Sequence, residues 1–166
     1  RTFAYHGVGV ATTSLTGLPS CYAPFDLPLP GYIHAPGPYP FEAGREKDAE
    51  GYGKWCIEET KKLIEAEGAE TIAAMFVEPV QGAGGVIIPP ASYLKALREL
   101  CKKYDIFYIS DEVITGFGRL GMMFASNEWN LDPDIMTLAK GITSGYVPFG
   151  AVMVSDQIIE TLNDAG

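Results

Sequence analysis

The residues whose types and spacing could do chemistry lie between Ile106 and Gly145. Two short apolar runs rich in β-formers, Ile106-Phe107-Tyr108-Ile109-Ser110 and Ile135-Met136-Thr137-Leu138-Ala139, each end in one charge, Asp111 after the first and Lys140 after the second. A lysine straight after an apolar strand, followed by Gly-Ile-Thr-Ser-Gly and not by a charged face, is expected to lose water. That loss frees its amine as a nucleophile able to form a Schiff base. Asp111 falls where the C-terminal end of a strand opens into a crevice, the usual ligand position in open α/β sheets. A fixed carboxylate there would keep a heteroaromatic ring nitrogen protonated and make the ring an electron sink. Each residue also has a plainer reading, a solvated strand end for the lysine and a cap of the next turn for the aspartate. Spacing alone favours the plainer pair. Asp111 and Glu112, neighbours in extended chain, point to opposite faces, so only one of them faces a site and they are no glycosidase-type dyad.

Together, a Schiff-base amine and a carboxylate for a ring nitrogen suggest pyridoxal phosphate, but two other motifs compete for the same residues. Gly116-Phe117-Gly118-Arg119-Leu120-Gly121 matches the dinucleotide fingerprint G-x-G-x-x-G. That fingerprint needs its glycines to turn directly from strand into helix, whereas residues 111–115 intervene here and 122–133 are poor helix, so the match is accidental. The Ile106–Glu112 stretch also resembles a Walker B strand, which requires a G-x-x-x-x-G-K-[ST] loop that these residues lack. The glycines from Gly82 to Gly85 read as a mobile turn and not as a phosphate cradle.

The elements that must position these residues alternate strand and helix. Arg1 to Ala4 reads as the tail of a strand ending at Tyr5-His6-Gly7. Between Gly17 and Gly44 seven prolines exclude a helix or central strand, yet five aromatics are too many for a solvated linker, so this is a long packed loop with a covering role. An amphipathic helix follows over 48–67, with Tyr52, Trp55, Cys56 and Leu63 inward, Glu58 and Lys62 paired on another face, and Gly68 as its stop. Ile72 to Val77 reads as a strand. Pro89-Pro90 precedes a second helix with Tyr93, Leu94, Leu97, Leu100 and Cys101 on the apolar stripe and Lys95, Arg98, Glu99 and Lys102 on the wet face. Strands at 106–110, 135–139 and 149–154 complete the pattern, and a helix-like IIETL run lies near the end. Apolar strands separated by amphipathic helices give an α/β fold, a mainly parallel sheet with helices on both faces.

The chain has 166 residues, 47% of them hydrophobic, enough for one core and one domain. A net charge of −9 argues against nucleic acid and anionic membrane as partners. The absence of a long apolar run or a signal-peptide pattern reads as a cytoplasmic protein. Cys21, Cys56 and Cys101 lack metal or disulfide spacing and read as reduced core thiols, and with only His6 and His34 available no metal site is expected.

DEVITGFGR from Asp111, the Asp134–Gly141 segment and Thr143-Ser144-Gly145 resemble the signature of class III pyridoxal-phosphate aminotransferases. Glu78-Pro79-Val80-Gln81-Gly82-Ala83-Gly84-Gly85 and Tyr5-His6-Gly7 resemble the same family in the same order, so the likeness covers essentially the whole chain. It implies that residues 1–166 are a partial large domain of a fold-type I transferase that binds pyridoxal 5'-phosphate. Such enzymes are more than twice this long, and a phosphate-binding Ser/Gly loop, a Thr from a neighbouring subunit and a substrate Arg are expected outside these residues. Lys140 would carry the cofactor as a Schiff base and then move the proton, and Asp111 would hold the ring nitrogen. Tyr5 would stack on one ring face and Val113 pack on the other, with His6 and Glu78 supporting from behind. Partners would be an amino donor, a 2-oxo acid acceptor and a second copy of the chain, as a homodimer or dimer of dimers. Ile114 stands where the ornithine and 4-aminobutyrate branches usually have Gln, and Ala83 where they often have Glu. The resemblance is therefore closer to the ω-amino acid or amine:pyruvate branch. The alternatives are a glutamate-semialdehyde-type aminomutase, a non-catalytic dimerising piece, or an NTPase piece built on the Walker B likeness.

Overall fold

The computed structural model describes residues 1–42, 44–45 and 48–165. Its centre is a four-stranded sheet of β1 (Ala74–Val77), β2 (Phe107–Asp111), β3 (Ile135–Leu138) and β4 (Ala151–Val154) in that order. β1, β2 and β3 run parallel, with Val77 opposite Ser110 and Asp111 opposite Thr137, and β4 returns antiparallel. The sheet is mixed and mainly parallel, with helices packed on it, as expected. β1 starts two residues later than the apolar run suggests, because Ala69–Thr71 forms a 3-10 turn first.

Before the sheet come the short helices α1 (Val10–Leu15) and α2 (Pro19–Tyr22) and the long α3 (Ala49–Glu67). α3 begins where Asp48 accepts the Gly51 N–H (3.2 Å) and stops at Gly68, whose φ of +87° a side chain would resist. Its inward stripe is Tyr52, Cys56, Thr60 and Ile64, while Trp55 is 44% exposed and Lys62 pairs with Glu59 and not with Glu58. α4 (Tyr93–Lys103) buries Tyr93, Leu94, Leu97, Leu100 and Cys101 against α3, Val77 and Tyr108. A leucine buried to this degree contributes about 1.5–3 kcal/mol.

Arg98 corrects the expected wet face of α4. It is buried, and its Nη1 and Nη2 donate to Asp134 (2.9 and 3.0 Å) while Nε donates to the Leu131 carbonyl (3.1 Å). Asp134 also accepts the Tyr108 N–H (2.7 Å), so this bidentate pair fixes the start of β3 beside β2. After β2 comes the five-residue α5 (Ala125–Trp129), and after β4 comes α6 (Asp156–Asp164), none of whose residues is buried.

Arg1 to Ala4 is not a strand. Phe3 has φ +65°, and the segment bonds across the long loop, Thr2 N–H to Ala35 O and Phe3 N–H to Gly17 O (both 2.9 Å). The loop can come this close because Gly17 and Gly37 lack the Cβ that would overlap the Arg1 and Thr2 carbonyls. That loop, expected without helix, carries one helical turn, α2, opened by Pro19, whose fixed φ suits a first helical position. Tyr39 packs on Phe3 (ring centroids 5.4 Å), whereas Phe25 and Phe41 lie exposed.

Candidate active site

The end of β2 and the residue after it deliver three consecutive polar side chains, Ser110, Asp111 and Glu112, into the protein, and alternation along the extended chain sends them to different neighbours. Ser110 lies on the α4 side and bonds Ser126 Oγ (3.0 Å). Asp111 lies on the opposite side with Phe76 and His6, and only 8% of it is exposed. Its Oδ2 is 2.7 Å from His6 Nδ1, and its Oδ1 accepts the Val113 N–H (3.1 Å). An ionised carboxylate can only accept, so Nδ1–H is the donor. His6 Nε2 is buried with no partner among the described residues. Asp111 is thus a buried carboxyl group held in place at the end of β2.

Glu78, just past β1, ties two further segments to this point. Its Oε1 accepts the Tyr5 N–H (2.8 Å) and its Oε2 the Gly82 N–H (3.0 Å), while the Arg1 guanidinium donates to its carbonyl. Burial pushes the Glu78 carboxyl above its ordinary range, against the pull of those two N–H donors, His6 and Arg1. The turn from Gly82 is therefore pinned at its first residue, and Gln81 and Ile87 close it by exchanging backbone hydrogen bonds (3.1 and 3.0 Å).

Lys140 differs from the expectation. It is exposed, and it opens a 3-10 turn, Lys140–Thr143, with its own φ at +47°. The left-handed residue ends β3 and swings the side chain into an open cleft of ≈740 Å³ walled by Val80, Gly82, Val113, Ile114 and Phe117. Water is not excluded there by the described residues, because the chain beyond Gly141 turns outward and leaves Tyr146 91% exposed. Gly141 has Phe117 against it, 3.0 Å from where a Cβ would sit, and Gly82 accommodates Ile114 in the same way. A second cavity, ≈350 Å³, lies between α3 and the edge of β1, and Lys140, Asp111 and Glu78 do not line it.

The structure thus joins His6 to Asp111, Tyr5 and Gly82 to Glu78, and Val113 to both Asp111 and the Lys140 cleft. Tyr5 is held through its backbone and is half-buried. Glu112, which the sequence offered only as the neighbour facing away, is fully buried and accepts from Thr115, Ala125 and Ser126. A carboxylate used this way is not free for magnesium, which removes the Walker B reading. Among the described residues no cluster of metal-ligating side chains occurs, and no helix is long and apolar enough to cross a membrane.

Comparison with known proteins gives this arrangement a family. The model for aminotransferase class-III matches residues 2–166. A putrescine–pyruvate aminotransferase of Pseudomonas aeruginosa is 46% identical over 166 residues, which is 100% of this chain and 36% of the relative. Gamma aminobutyrate transaminase 3 of Solanum lycopersicum is 45% identical over 98% of this chain and 31% of its own. Among solved structures, an (S)-enantioselective omega-transaminase from Thermomicrobium roseum superposes with a TM-score of 0.94 at 48% identity, covering 99% of this chain and 37% of that one. The chain therefore spans about a third of the length of the relatives it matches, and with motifs, sheet and buried carboxylate in agreement it belongs to the class III aminotransferase family.

Proposed function

We propose that this chain is part of the large domain of a pyridoxal-phosphate-dependent transaminase that moves an amino group from an amine or ω-amino acid to a 2-oxo acid, pyruvate in the first instance. The observation that carries the reading is Asp111, a buried carboxylate with both oxygens fixed at a strand end and bonded to Val113, which lines the same cleft as Lys140. Aminotransferases of this class depend on pyridoxal phosphate, and the residues present fit that group: a fixed carboxylate for its ring nitrogen, an accessible primary amine for its carbonyl carbon, and apolar walls beside the amine. The putrescine–pyruvate specificity of one relative, together with Ile114 and Ala83 at positions where other branches carry polar groups, supports the amine:pyruvate assignment.

When bound, the cofactor supplies an electron sink for the pair of electrons left when a substrate C–H bond loses its proton. Lys140 Nζ would be the amine that holds it and the group that takes and returns that proton as general base and acid. Asp111 would hold the ring nitrogen, because a carboxylate that cannot rotate favours the protonated ring over the neutral one. His6 holds Asp111 through Nδ1. Glu78 places the Tyr5 segment and the Gly82 turn, and Tyr5 with its flat face and Val113 with its methyl groups would supply the apolar contacts that hold the ring. A second copy of the chain completes the enzyme as a homodimer.

The test is borohydride reduction of the full-length protein after incubation with pyridoxal phosphate, with peptide mapping, beside its Lys140→Ala variant. Label confined to Lys140 and absent from the variant is expected. Label spread over surface lysines, or equal in the two proteins, would refute the reading. Single-turnover spectra with putrescine and with 4-aminobutyrate then identify the donor.

A further inference from the structure

One buried charge in the molecule takes no part in the chemistry proposed above. Glu112 is 0% exposed, and both of its oxygens are doubly occupied. Oε2 accepts from Thr115 Oγ1 (2.6 Å) and the Ala125 N–H (2.9 Å), and Oε1 accepts from the Ser126 N–H and Ser126 Oγ (both 2.7 Å). A carboxylate removed from water is costly unless its lone pairs are filled, and here four donors fill them. The placement of the donors is the informative part. Thr115 stands near the start of the 113–124 loop, and Ala125 and Ser126 just past its end, so one side chain ties both ends together.

The loop it closes faces the lysine. Inside the loop Phe117 N–H donates to Met123 O (2.6 Å) and Gly121 N–H to Gly118 O (3.0 Å), and Phe117 meets Phe124 edge-on at 5.7 Å. Phe117 in turn lies against Gly141, and loop and Lys140 line the same cleft. We propose that Glu112 is a positioning residue whose carboxylate clasps both ends of the 113–124 loop and so sets, through Phe117, the wall against which the Lys140–Gly141 turn is seated. This role rests on the reading of Lys140 given above. Two acceptor oxygens are required as well as the shape. Each oxygen faces one backbone N–H, of Ala125 or of Ser126, which cannot rotate away, so an amide in either orientation would set its NH2 against a donor.

The experiment uses the full-length protein with Glu112→Gln, Thr115→Val and Ser126→Ala, and Leu97→Ala as a remote core variant that destabilises without touching the loop. Hydrogen exchange is measured on the cofactor-free proteins. In Glu112→Gln the amides of residues 113–126 are expected to exchange roughly tenfold to hundredfold faster, with those of β1 and β2 unchanged. In the loaded enzyme the pH midpoint of the cofactor's visible band is expected to move in Glu112→Gln and, by less and in the same direction, in Thr115→Val and Ser126→Ala. Leu97→Ala should lower the melting temperature and leave that midpoint in place. Unchanged loop exchange in Glu112→Gln, or an equal midpoint shift in Leu97→Ala, would overturn the assignment. Should Glu112→Gln fail to fold, the two single-donor variants decide it by the same readouts. Wild-type protein that takes no label at Lys140 defeats the functional reading and this role with it; normal labelling with an unmoved loop defeats the clasp alone.

Discussion

α4 and α6 are both amphipathic, and each neighbours one of the two charges, yet only one of them has found its partner. α4 feeds β2 and Asp111, and its whole apolar stripe is buried on α3 and the sheet. α6 follows β4, beyond Lys140, and leaves Ile159 and Leu162 exposed, as β4 does Val152 and Met153. The carboxylate half of the site is consequently closed and bonded, and the lysine half is open. Periodicity states which face of a helix will be covered and is silent on what covers it. A carboxylate brings its requirement for donors with it and settles where they are; an amine in a cleft depends on walls that belong to other segments.

Four measurements on the full-length protein bear on that contrast, the largest effect first. Lys140→Ala should reduce transamination by about 10^4-fold or more, the upper range for loss of a positioned acid–base group. Its unfolding free energy should change by less than about 0.5 kcal/mol, as for other exposed residues. A large loss of stability would mean that the lysine half is packed after all. Thiols report on the closed half: burial pushes Cys56 up to about 11 and Cys101 up to about 12, while Cys21 is half-exposed. Alkylation should reach Cys21 about 10^3-fold faster than the other two, which react only through opening. Comparable rates would show α3 and α4 parting easily.

Asp111→Ala, in contrast with Lys140→Ala, should cost about 1–3 kcal/mol of stability, because it strands His6 Nδ1–H in the interior. Asp111→Asn keeps an acceptor for His6 and should recover much of that stability without recovering activity. Smallest is a pH effect at Glu78. Its carboxyl is raised above the ordinary 4.5, so the folded protein binds the proton more tightly than the unfolded chain. That contribution is full below the unfolded value and is lost as pH rises through the folded one. The stability of wild type relative to Glu78→Gln should therefore decline with rising pH across that window, and a flat difference would contradict the raised carboxyl.

Much of this architecture was legible in the sequence where the cause is local. The α4 stripe, the Gly68 stop and the strand ending at Asp111 follow from spacing and backbone preference within a dozen residues. Errors arose where the deciding contact lies far away. Local periodicity puts Arg98 on the wet face of α4, because its partner, Asp134, is 36 residues away in the chain. The Arg1–Ala4 segment was assigned to a strand, although the chain it bonds with lies at Gly17 and Ala35. Lys140 was expected to be dry from its own strand alone, whereas dryness is a property of the opposite wall. Glu112 carried a signal that could have been used: it alternates with Asp111, and Thr115 follows at a distance suited to reach back to it.

The union of His6 with Asp111 spans 105 residues of chain, and that of Tyr5 with Glu78 spans 73. Contacts of such separation form late, after the entropy of closing the intervening chain has been met by other structure. During synthesis the segment from Tyr5 to Ser110 can gather α3, α4 and the first strand pairing, but His6 has no anion to meet until residue 111 has left the ribosome. The His6–Asp111 pair is therefore a timer as well as an electrostatic feature: it records that two distant stretches of chain have met, and a chain halted before residue 111 cannot form it.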